Sequence, residues 1–417
     1  MNEMRRHLGT RDAVVIGLGS MIGAGVFSAM GPAAQSAGGW LLLGLAIAGL
    51  VAYCNATSSA RLAAVHPASG GTYVYGTRQL GPLWGYLAGW SFVVGKTASC
   101  AAMALTVGAY AWPGHAVPIA IGAVVALVAL NLVGVQKSAW LTRGIVTFVL
   151  VALGVFVIAA LTGVIPAGRS EGVVEAVEVS TRAVGPLGVL QAAGLLFFAF
   201  AGYARIATLG EEVRDPARTI PRAIPIALGV TLVVYTLVAL SLLTVAGADG
   251  IAASPVPVLE AARRGPAWLA VLMSVAAVAA AMGSLLGLIL GVSRTSLAMA
   301  RDGHLPAPLA RISQSHGAPW VAEIVVGVAV VLLVLVTDLR GAIGFSSFGV
   351  LLYYSVANVS AWTLRPDQGR PPAWIPGVGL VGCLALAFSL PPVSVVGGTI
   401  VILAGLAVYL VRRRVRA

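Results

Sequence analysis

The chain has 417 residues, of which 59% are hydrophobic and only 10% are charged, and its formal net charge is +12. Soluble domains carry about 25% charged residues, so this composition excludes an ordinary soluble protein and predicts an integral membrane protein. The positive charge does not indicate a nucleic-acid-binding protein, because nearly all of the arginines lie at the ends of apolar segments, as the positive-inside rule requires.

Each apolar run of about 18 or more residues predicts one membrane-spanning helix. Strands of a membrane barrel would alternate in shorter segments instead, so we expect an all-α integral membrane protein. The predicted spans are twelve in number, with approximate limits 12–37, 40–63, 82–112, 117–135, 141–164, 187–212, 221–246, 267–299, 319–337, 342–364, 374–390 and 393–411. They form a single transmembrane domain over 1–417, and the lysine and arginine distribution predicts that both termini are cytoplasmic. No cleavable signal peptide is apparent before the first span.

The first span is crowded with glycines at its centre, where residues 17–27 read GLGSMIGAGVF. Each glycine weakens a helix by about 1 kcal/mol relative to alanine. Backbone groups freed inside a membrane are tolerated only where they are buried in protein or line a polar cavity. The sequence therefore predicts a break in this helix and assigns residues 20–25 to half of a binding site.

A second interruption is predicted in span six, where residues 197–206 read FFAFAGYARI. Spans one and six are five apart and cross in opposite directions. Discontinuous helices at matching positions of two halves are typical of transporters built from inverted repeats. The repeats would cover about 12–164 and 187–364, with two appended helices over about 374–411. They are inferred from the interruptions alone, because the two halves show no convincing residue-level similarity.

Three stretches, residues 22–27, 197–224 and 292–306, resemble the amino acid–polyamine–organocation (APC) transporter superfamily, and the chain is similar to its bacterial amino acid permeases. Their order and spacing suit this family across essentially the whole chain. The resemblance implies the leucine-transporter-type fold, with a 5+5 inverted repeat and discontinuous helices 1 and 6. It also implies transport of an amino acid or amine by alternating access.

The two interruptions predict the chemistry of a site for an α-amino acid. Free N–H groups of the half-helix that begins near Gly25 would bind the carboxylate, and carbonyl groups at both interruptions would accept hydrogen bonds from the ammonium. The alternative is that these small residues merely let helices pack closely. The predicted substrate-binding residues are Met21, Ile22, Gly23, Ala24, Gly25, Phe198, Ala199, Phe200, Ala201 and Gly202.

Phe198 and Phe200 are the candidate gates of this site. The resemblance implies that an aromatic side chain near Phe198 closes over bound substrate from outside. The alternative is that either ring is ordinary core or faces the lipid.

Lys96 lies midway through span three, where a charged side chain costs about 2.5–3.5 kcal/mol on insertion scales. The sequence has no carboxylate near the centre of any span, which leaves backbone carbonyls, a polar cavity or the substrate carboxylate as partners. In some relatives a lysine on span five lies where others bind sodium, and span five has no lysine here. Our hypothesis is that Lys96 substitutes for it, reaching toward carbonyls near Gly19 and the hydroxyl of Ser284, and carries a coupling proton. The alternative is a snorkelling or fixed structural cation.

Arg205 departs from the family pattern, because many relatives have an acidic residue at or beside this position. It either attracts the substrate carboxylate in the inner cavity or simply snorkels inward. Together with Lys96 it disfavours a cationic side chain in the same cavity by charge repulsion. We therefore expect a neutral amino acid as substrate, and the alternative is a cationic amino acid or polyamine.

The leading interpretation is a secondary active transporter of the cell membrane, working as a proton-coupled symporter or an exchanger. No phosphate-cradling loop, catalytic pair or metal-ligand cluster is apparent in the sequence, so neither an enzyme nor a cofactor or metal is expected. The expected partners are the amino acid, a coupling proton and membrane lipids, with no nucleic acid and no obligate protein. The alternatives are a channel, or a nutrient sensor or scaffold that binds its ligand without moving it.

Overall fold

The computed structural model describes residues 8–23, 25–67, 70–133, 139–167, 185–207, 213–313 and 317–416. Within these ranges the regular structure is helical, apart from one isolated bridge between Leu8 and Val213. The α-helices are α1 (Thr10–Met21), α2 (Gly25–Ser28), α3 (Met30–Ala37), α4 (Leu41–Val65), α5 (Thr72–Leu80), α6 (Pro82–Ala111), α7 (Ala116–Leu132), α8 (Ala139–Leu161), α9 (Pro186–Phe200), α10 (Ala204–Ala207), α11 (Pro216–Ala252), α12 (Pro257–Ala262), α13 (Ala267–Arg301), α14 (Trp320–Val336), α15 (Leu339–Trp362), α16 (Trp374–Ser389) and α17 (Pro392–Arg416).

By length and composition, ten helical segments in the described ranges could cross a membrane. Two shorter apolar helices, α14 and α16, coincide with the predicted spans 319–337 and 374–390. The prediction of an all-helical, multi-pass membrane protein is therefore confirmed. The twelve-span topology and the 5+5 repeat stay predictions.

The first interruption lies between α1 and α2. The helix ends at Met21, and the N–H of Ile22 makes a last helical hydrogen bond of 2.7 Å to the Leu18 carbonyl. Gly23 is non-helical, and helical structure resumes at Gly25. The predicted binding residue Ala24 lies outside the described residues. Helix α1 is thus broken at the glycine-rich segment, as the composition of that segment indicates.

The second interruption is a 3₁₀ turn, Ala201–Tyr203, between α9 and α10. The N–H of Ala201 still bonds to the carbonyls of Phe197 and Phe198, so the chain tightens here rather than unwinding fully. Short 3₁₀ stretches inside a longer helix often mark a functional hinge. We call Ile22 and Gly23 the first break and Ala201–Tyr203 the second break.

Both breaks lie inside the helical bundle rather than on its surface. Helix α1 packs against α8, α11 and the second break, while α9 packs against α3, α4 and α15. Helix α6, which carries Lys96, packs against α13 and α15. These neighbours supply the side chains that contact the two breaks.

The first and last described residues lie at one end of the bundle, which we call the terminal end. A series of contacts crosses this end. It joins the N-terminal segment to the start of α11, and it joins α5 both to α10 and to the end of α13. The end of α13 is in turn joined to α17. The contacts are the Leu8–Val213 bridge, Tyr75 to the Ala207 carbonyl, Tyr73 to His304, and Arg412 to the Gly303 carbonyl. The other end of the bundle is called the opposite end.

Candidate substrate site at the two helix breaks

The chain on either side of the first break is in direct backbone contact with the chain at and just before the second break. A Cβ added at Gly202 would overlap the carbonyl of Ser20 and would lie only 2.6 Å from the nitrogen of Met21. A Cβ added at Gly25 would lie 2.6 Å from the Cα of Ala199. Glycine is needed at both positions because no side chain fits between the two backbones. The structure therefore brings residues from the two predicted halves of the site together.

Tyr235 on α11 links the two breaks. Its hydroxyl lies 2.5 Å from the Met21 carbonyl oxygen and 3.1 Å from the Ala199 carbonyl oxygen, and it donates to this pair. The side chain is fully buried, and the centroid of its ring lies 5.2 Å from the centroid of the Phe200 ring. One hydroxyl thus shares its proton between the last residue of α1 and a carbonyl just before the second break.

Lys96 on α6 also contacts the second break. Its ammonium donates a 3.2 Å hydrogen bond to the Ala201 carbonyl, and the hydroxyl of Tyr354 lies 3.5 Å from the same oxygen. The Lys96 side chain is buried, and it makes no ion pair with a carboxylate in the part of the chain that the structure describes. A buried ammonium whose acceptor is a break carbonyl is placed to respond to movement of that break.

The contact of Lys96 differs from the expected one. The hydroxyl of Ser284 donates a 3.0 Å hydrogen bond to the Gly19 carbonyl, so these two groups are paired with each other. Ser284 also lies so close to Gly23 that an added Cβ there would overlap its hydroxyl. Lys96 comes from α6 and reaches the second break, whereas Gly19 and Ser284 lie beside the first. The contact described for Lys96 is thus with Ala201, and its reach toward Gly19 and Ser284 stays a prediction.

A small cavity lies beside the first break, between α1, α8 and α13. Its lining includes Gly19 from α1 and Ile22 from the first break, Ala280 and Gly283 from α13, and Thr142 with three aliphatic residues from α8. Span five therefore presents one hydroxyl and hydrocarbon to this cavity. It supplies no cation there, in agreement with the absence of lysine from that span.

The remaining predicted site residues surround these contacts. Phe198 is 7% exposed and Phe200 is fully buried, so both rings lie within the protein. Arg205 lies in α10, just after the second break, and is partly buried. The positions of Phe198 and Arg205 are compatible with their predicted roles but do not test them.

Tyr235 was missed by the sequence reasoning. It is the single aromatic residue in an aliphatic run of span seven, and this is the same kind of signal that drew attention to Lys96. A tyrosine in such a run has an apolar ring and one hydroxyl that must find a partner when buried. That signal identifies Tyr235 as a candidate site residue. It does not identify the carbonyls that the hydroxyl contacts, because these belong to two other segments of the chain.

Glu323, at the start of α14, is more buried in the protein than its position near the end of a span indicates. It is fully buried, and neither carboxylate oxygen has a hydrogen-bond partner among the described residues. The Nδ2 atom of Asn131 on α7 is likewise buried without a partner. Groups of three or more His, Cys, Asp or Glu that could hold a metal ion do not occur in the described ranges.

An all-helical membrane bundle in which two interrupted helices meet backbone to backbone is typical of membrane transporters. The chain matches the model of the amino acid permease family over residues 8–410, and it belongs to that family. This confirms the resemblance to the APC superfamily.

Similar proteins agree with this assignment. The chain is 61% identical over 414 residues to an uncharacterized transporter of Mycobacterium tuberculosis, covering 99% of this chain and 92% of that one. It is 27% identical over 451 residues to the branched-chain amino acid permease BcaP of Bacillus subtilis, covering 99% and 94% of the two chains. It is 29% identical over 402 residues to cationic amino acid transporter 4 of Mus musculus, covering 89% of this chain and 61% of that one. Together these findings support an amino acid transporter in a membrane.

Proposed function

We propose that this protein is a secondary active transporter that carries a neutral amino acid across the cell membrane by alternating access. The observation that carries the proposal is the backbone contact between the two breaks, with Tyr235 bonded to a carbonyl on each side. Broken helices expose N–H and carbonyl groups that can bind the charged groups of a zwitterion. The family and the names of the relatives support the same function.

The substrate's charged groups would bind to the backbone at the breaks. The carboxylate would accept hydrogen bonds from N–H groups at residues 23–25, and the ammonium would donate to the carbonyls of Met21, Ala199 and Ala201. These carbonyls already accept hydrogen bonds from Tyr235 or Lys96. A carbonyl oxygen has two lone pairs, so those of Met21 and Ala199 can each accept a second hydrogen bond from substrate. At Ala201 the substrate's ammonium would replace the hydroxyl of Tyr354, which lies 3.5 Å from that oxygen. Phe198 would close over the bound substrate as the gate.

Lys96 is proposed to carry the coupling proton. When charged it holds the Ala201 carbonyl, and when it loses its proton that charge-assisted bond is lost and the second break is released. The proposal thus places the ion-coupled step at the second break. The competing role is a fixed structural cation, which would hold Ala201 in every state of the transport cycle.

A neutral substrate fits the charge of the site better than a cationic one. Lys96 and Arg205 both lie at or next to the second break, and they would repel a cationic side chain in the same cavity. The relatives include proteins named for each substrate class. One is a branched-chain amino acid permease and another is a cationic amino acid transporter. A cationic amino acid is therefore the second candidate substrate.

The terminal end is proposed to face the cytoplasm and the opposite end the exterior, following the lysine and arginine distribution. The proposed topology has twelve spans, with α14 and α16 as the two shorter ones. The two breaks would then lie at matching positions of a 5+5 inverted repeat. We propose transport rather than catalysis, with membrane lipids as the surroundings.

The test is uptake by the purified protein in proteoliposomes, with labelled L-leucine and labelled L-arginine measured separately. Saturable, acid-stimulated uptake of L-leucine, inhibited by unlabelled neutral amino acids, is expected. A protein that binds an amino acid in a thermal-shift screen but moves none would instead be a sensor or scaffold. Uptake of L-arginine without uptake of L-leucine would refute the neutral substrate.

A further inference from the structure

Arg340 joins three helices at the opposite end of the bundle. It lies near the start of α15, and its guanidinium donates to the Gln35 side-chain oxygen at 2.9 Å, to the Ser36 hydroxyl at 3.1 Å and to the Gln191 side-chain oxygen at 3.3 Å. The Ser36 hydroxyl also donates to the Gln191 oxygen at 2.9 Å. The cluster therefore connects α15 to α3, which follows the first break, and to α9, which precedes the second.

The acceptors of this guanidinium are neutral. Arg340 forms no ion pair with a carboxylate within the described ranges. Its Nε atom is buried and has no hydrogen-bond partner in the part of the chain that the structure describes. A carboxylate binds a guanidinium through two parallel, charge-assisted hydrogen bonds that are roughly twice as strong as neutral ones. Arg340 thus has a spare buried donor, and a carboxylate could displace its present acceptors.

Two further polar residues lie on the same face of α15. Ser347 and Tyr354 follow Arg340 at intervals of seven residues, which is close to two helical turns. The ring centroid of Tyr354 lies 5.8 Å from that of Phe197, and its hydroxyl contacts the Ala201 carbonyl. This face of α15 is therefore directed at α9. The hydroxyl of Ser347 is buried and has no hydrogen-bond partner among the described residues. This polar stripe of Arg340, Ser347 and Tyr354 extends roughly 21 Å from the opposite end to the second break.

We propose that Arg340 binds the substrate's carboxylate at the opening of an access route that runs along the polar stripe between α9 and α15. With no substrate there, the same guanidinium closes the route by bonding to Gln35, Ser36 and Gln191. Ser347 then offers a hydroxyl to the substrate or to water halfway along. The identity of the ligand rests on the proposed function, whereas closure of the route by Arg340 does not.

The first test is the rate at which a charged, membrane-impermeant thiol reagent labels Ser347→Cys in the purified protein. This substitution is conservative because the Ser347 hydroxyl has no partner to lose within the described ranges. The chain's own Cys54, Cys100 and Cys383 are buried, and the protein without Ser347→Cys gives the background. Adding Arg340→Gln should raise the rate about tenfold, since three bonds that close the route are lost. Arg340→Lys should give an intermediate rate, because a lysine cannot bridge three acceptors.

The matched control is Arg264→Gln. Arg264 lies after α12 and donates to the Val245 carbonyl. It is also at the opposite end, because Gln35 bonds to Ala252 at the end of α11, the helix that precedes α12. This variant should leave the labelling rate of Ser347→Cys unchanged. Equal rates in the Arg340→Gln, Arg340→Lys and unaltered backgrounds would overturn the proposal.

The second test addresses the carboxylate. With whichever of L-leucine and L-arginine is transported, Arg340→Gln should raise the half-saturating concentration about tenfold and leave the maximal rate within about twofold. An unchanged half-saturating concentration would overturn the docking role. If the unaltered protein transports neither amino acid, the proposed function fails, and the labelling comparison still decides whether Arg340 closes the route.

Discussion

The ammonium of Lys96 lies 3.2 Å from the carbonyl oxygen of Ala201, the first residue of the second break. Span three thus places a charge against the non-helical part of span six rather than against the first break. A hydrogen bond from a charged donor stabilises a structure by about 1.5–3 kcal/mol. Loss of the proton would remove most of this stabilisation from the second break, which is the basis of the proposed coupling.

Substitution of Lys96 should therefore change how uptake depends on pH. Lys96→Ala and Lys96→Arg should each lower the maximal uptake rate at least about tenfold and flatten its pH profile. Alanine has no proton to exchange, and arginine does not release one in a protein. The measurement is initial uptake into proteoliposomes across a range of pH. Uptake like that of the unaltered protein, with the same pH profile in both variants, would refute the coupling role.

Tyr235→Phe should weaken transport and stability together. The variant loses the hydroxyl that bonds the Met21 and Ala199 carbonyls, and a typical net hydrogen bond contributes about 0.5–1.5 kcal/mol. We expect a lower thermal unfolding temperature and a severalfold lower uptake rate.

The control for this variant is Tyr86→Phe, which removes a buried 2.8 Å bond to the Gly405 carbonyl far from the breaks. It should cost similar stability while leaving uptake unchanged. Equal uptake by Tyr235→Phe and Tyr86→Phe would contradict the role of Tyr235 at the site.

Gly202→Ala should prevent the two breaks from packing together. The added methyl group would overlap the Ser20 carbonyl, and backbone cannot move aside as a flexible side chain can. We expect a destabilisation of more than about 3 kcal/mol, seen as a lower unfolding temperature or as failure to purify folded protein.

Gly154→Ala is the matched change, because no atom of the described residues lies within 4 Å of its added methyl group. It should leave stability unchanged or raise it slightly, since alanine favours a helix over glycine. A Gly202→Ala protein as stable as Gly154→Ala would contradict the close contact of the breaks.

We expect His66 to make the stability of the terminal end depend on pH. It lies just after α4, its Nε2 is 2.9 Å from the amide nitrogen of Gln79, and its ring stacks on Tyr75. Burial, and then the charge of Arg78, lower the pKa of His66 from its ordinary value of 6.5. The folded state thus favours the neutral ring. Its contribution to stability is complete above the ordinary pKa and is lost as the pH falls through the lowered value.

The expected result is a fall in unfolding temperature between about pH 7 and about pH 5 that is smaller in His66→Gln. Thermal unfolding in detergent measures it, with His115→Gln at the opposite end as the control. An identical acid-side fall in the unaltered protein and His66→Gln would contradict this assignment.

The positions of both breaks could be predicted from the sequence because their cause is local. Glycines weaken a helix wherever it lies, and the structure ends α1 at Met21 and inserts a 3₁₀ turn at Ala201. The all-helical membrane fold was also predictable, because a run of apolar residues is itself the signal.

The partners of the site residues could not be predicted in the same way. Which carbonyl Lys96 reaches depends on how α6 is rotated against α9, and nothing in either segment encodes that angle. Tyr235 contacts residues 214 and 36 positions away along the chain. The Arg340 cluster likewise unites residues from α3, α9 and α15. The sequence therefore identifies single polar residues in apolar spans, but it does not show which of them meet in the folded protein.

The most direct test of the central proposal, carriage of an amino acid at the two breaks, is counterflow. Proteoliposomes containing the protein are loaded with unlabelled L-leucine and diluted into labelled L-leucine. The proposal predicts transient accumulation of label above its equilibrium level, and about the background level with folded Tyr235→Ala protein. Absence of accumulation with L-leucine and with every other amino acid would contradict it, as would full accumulation by Tyr235→Ala.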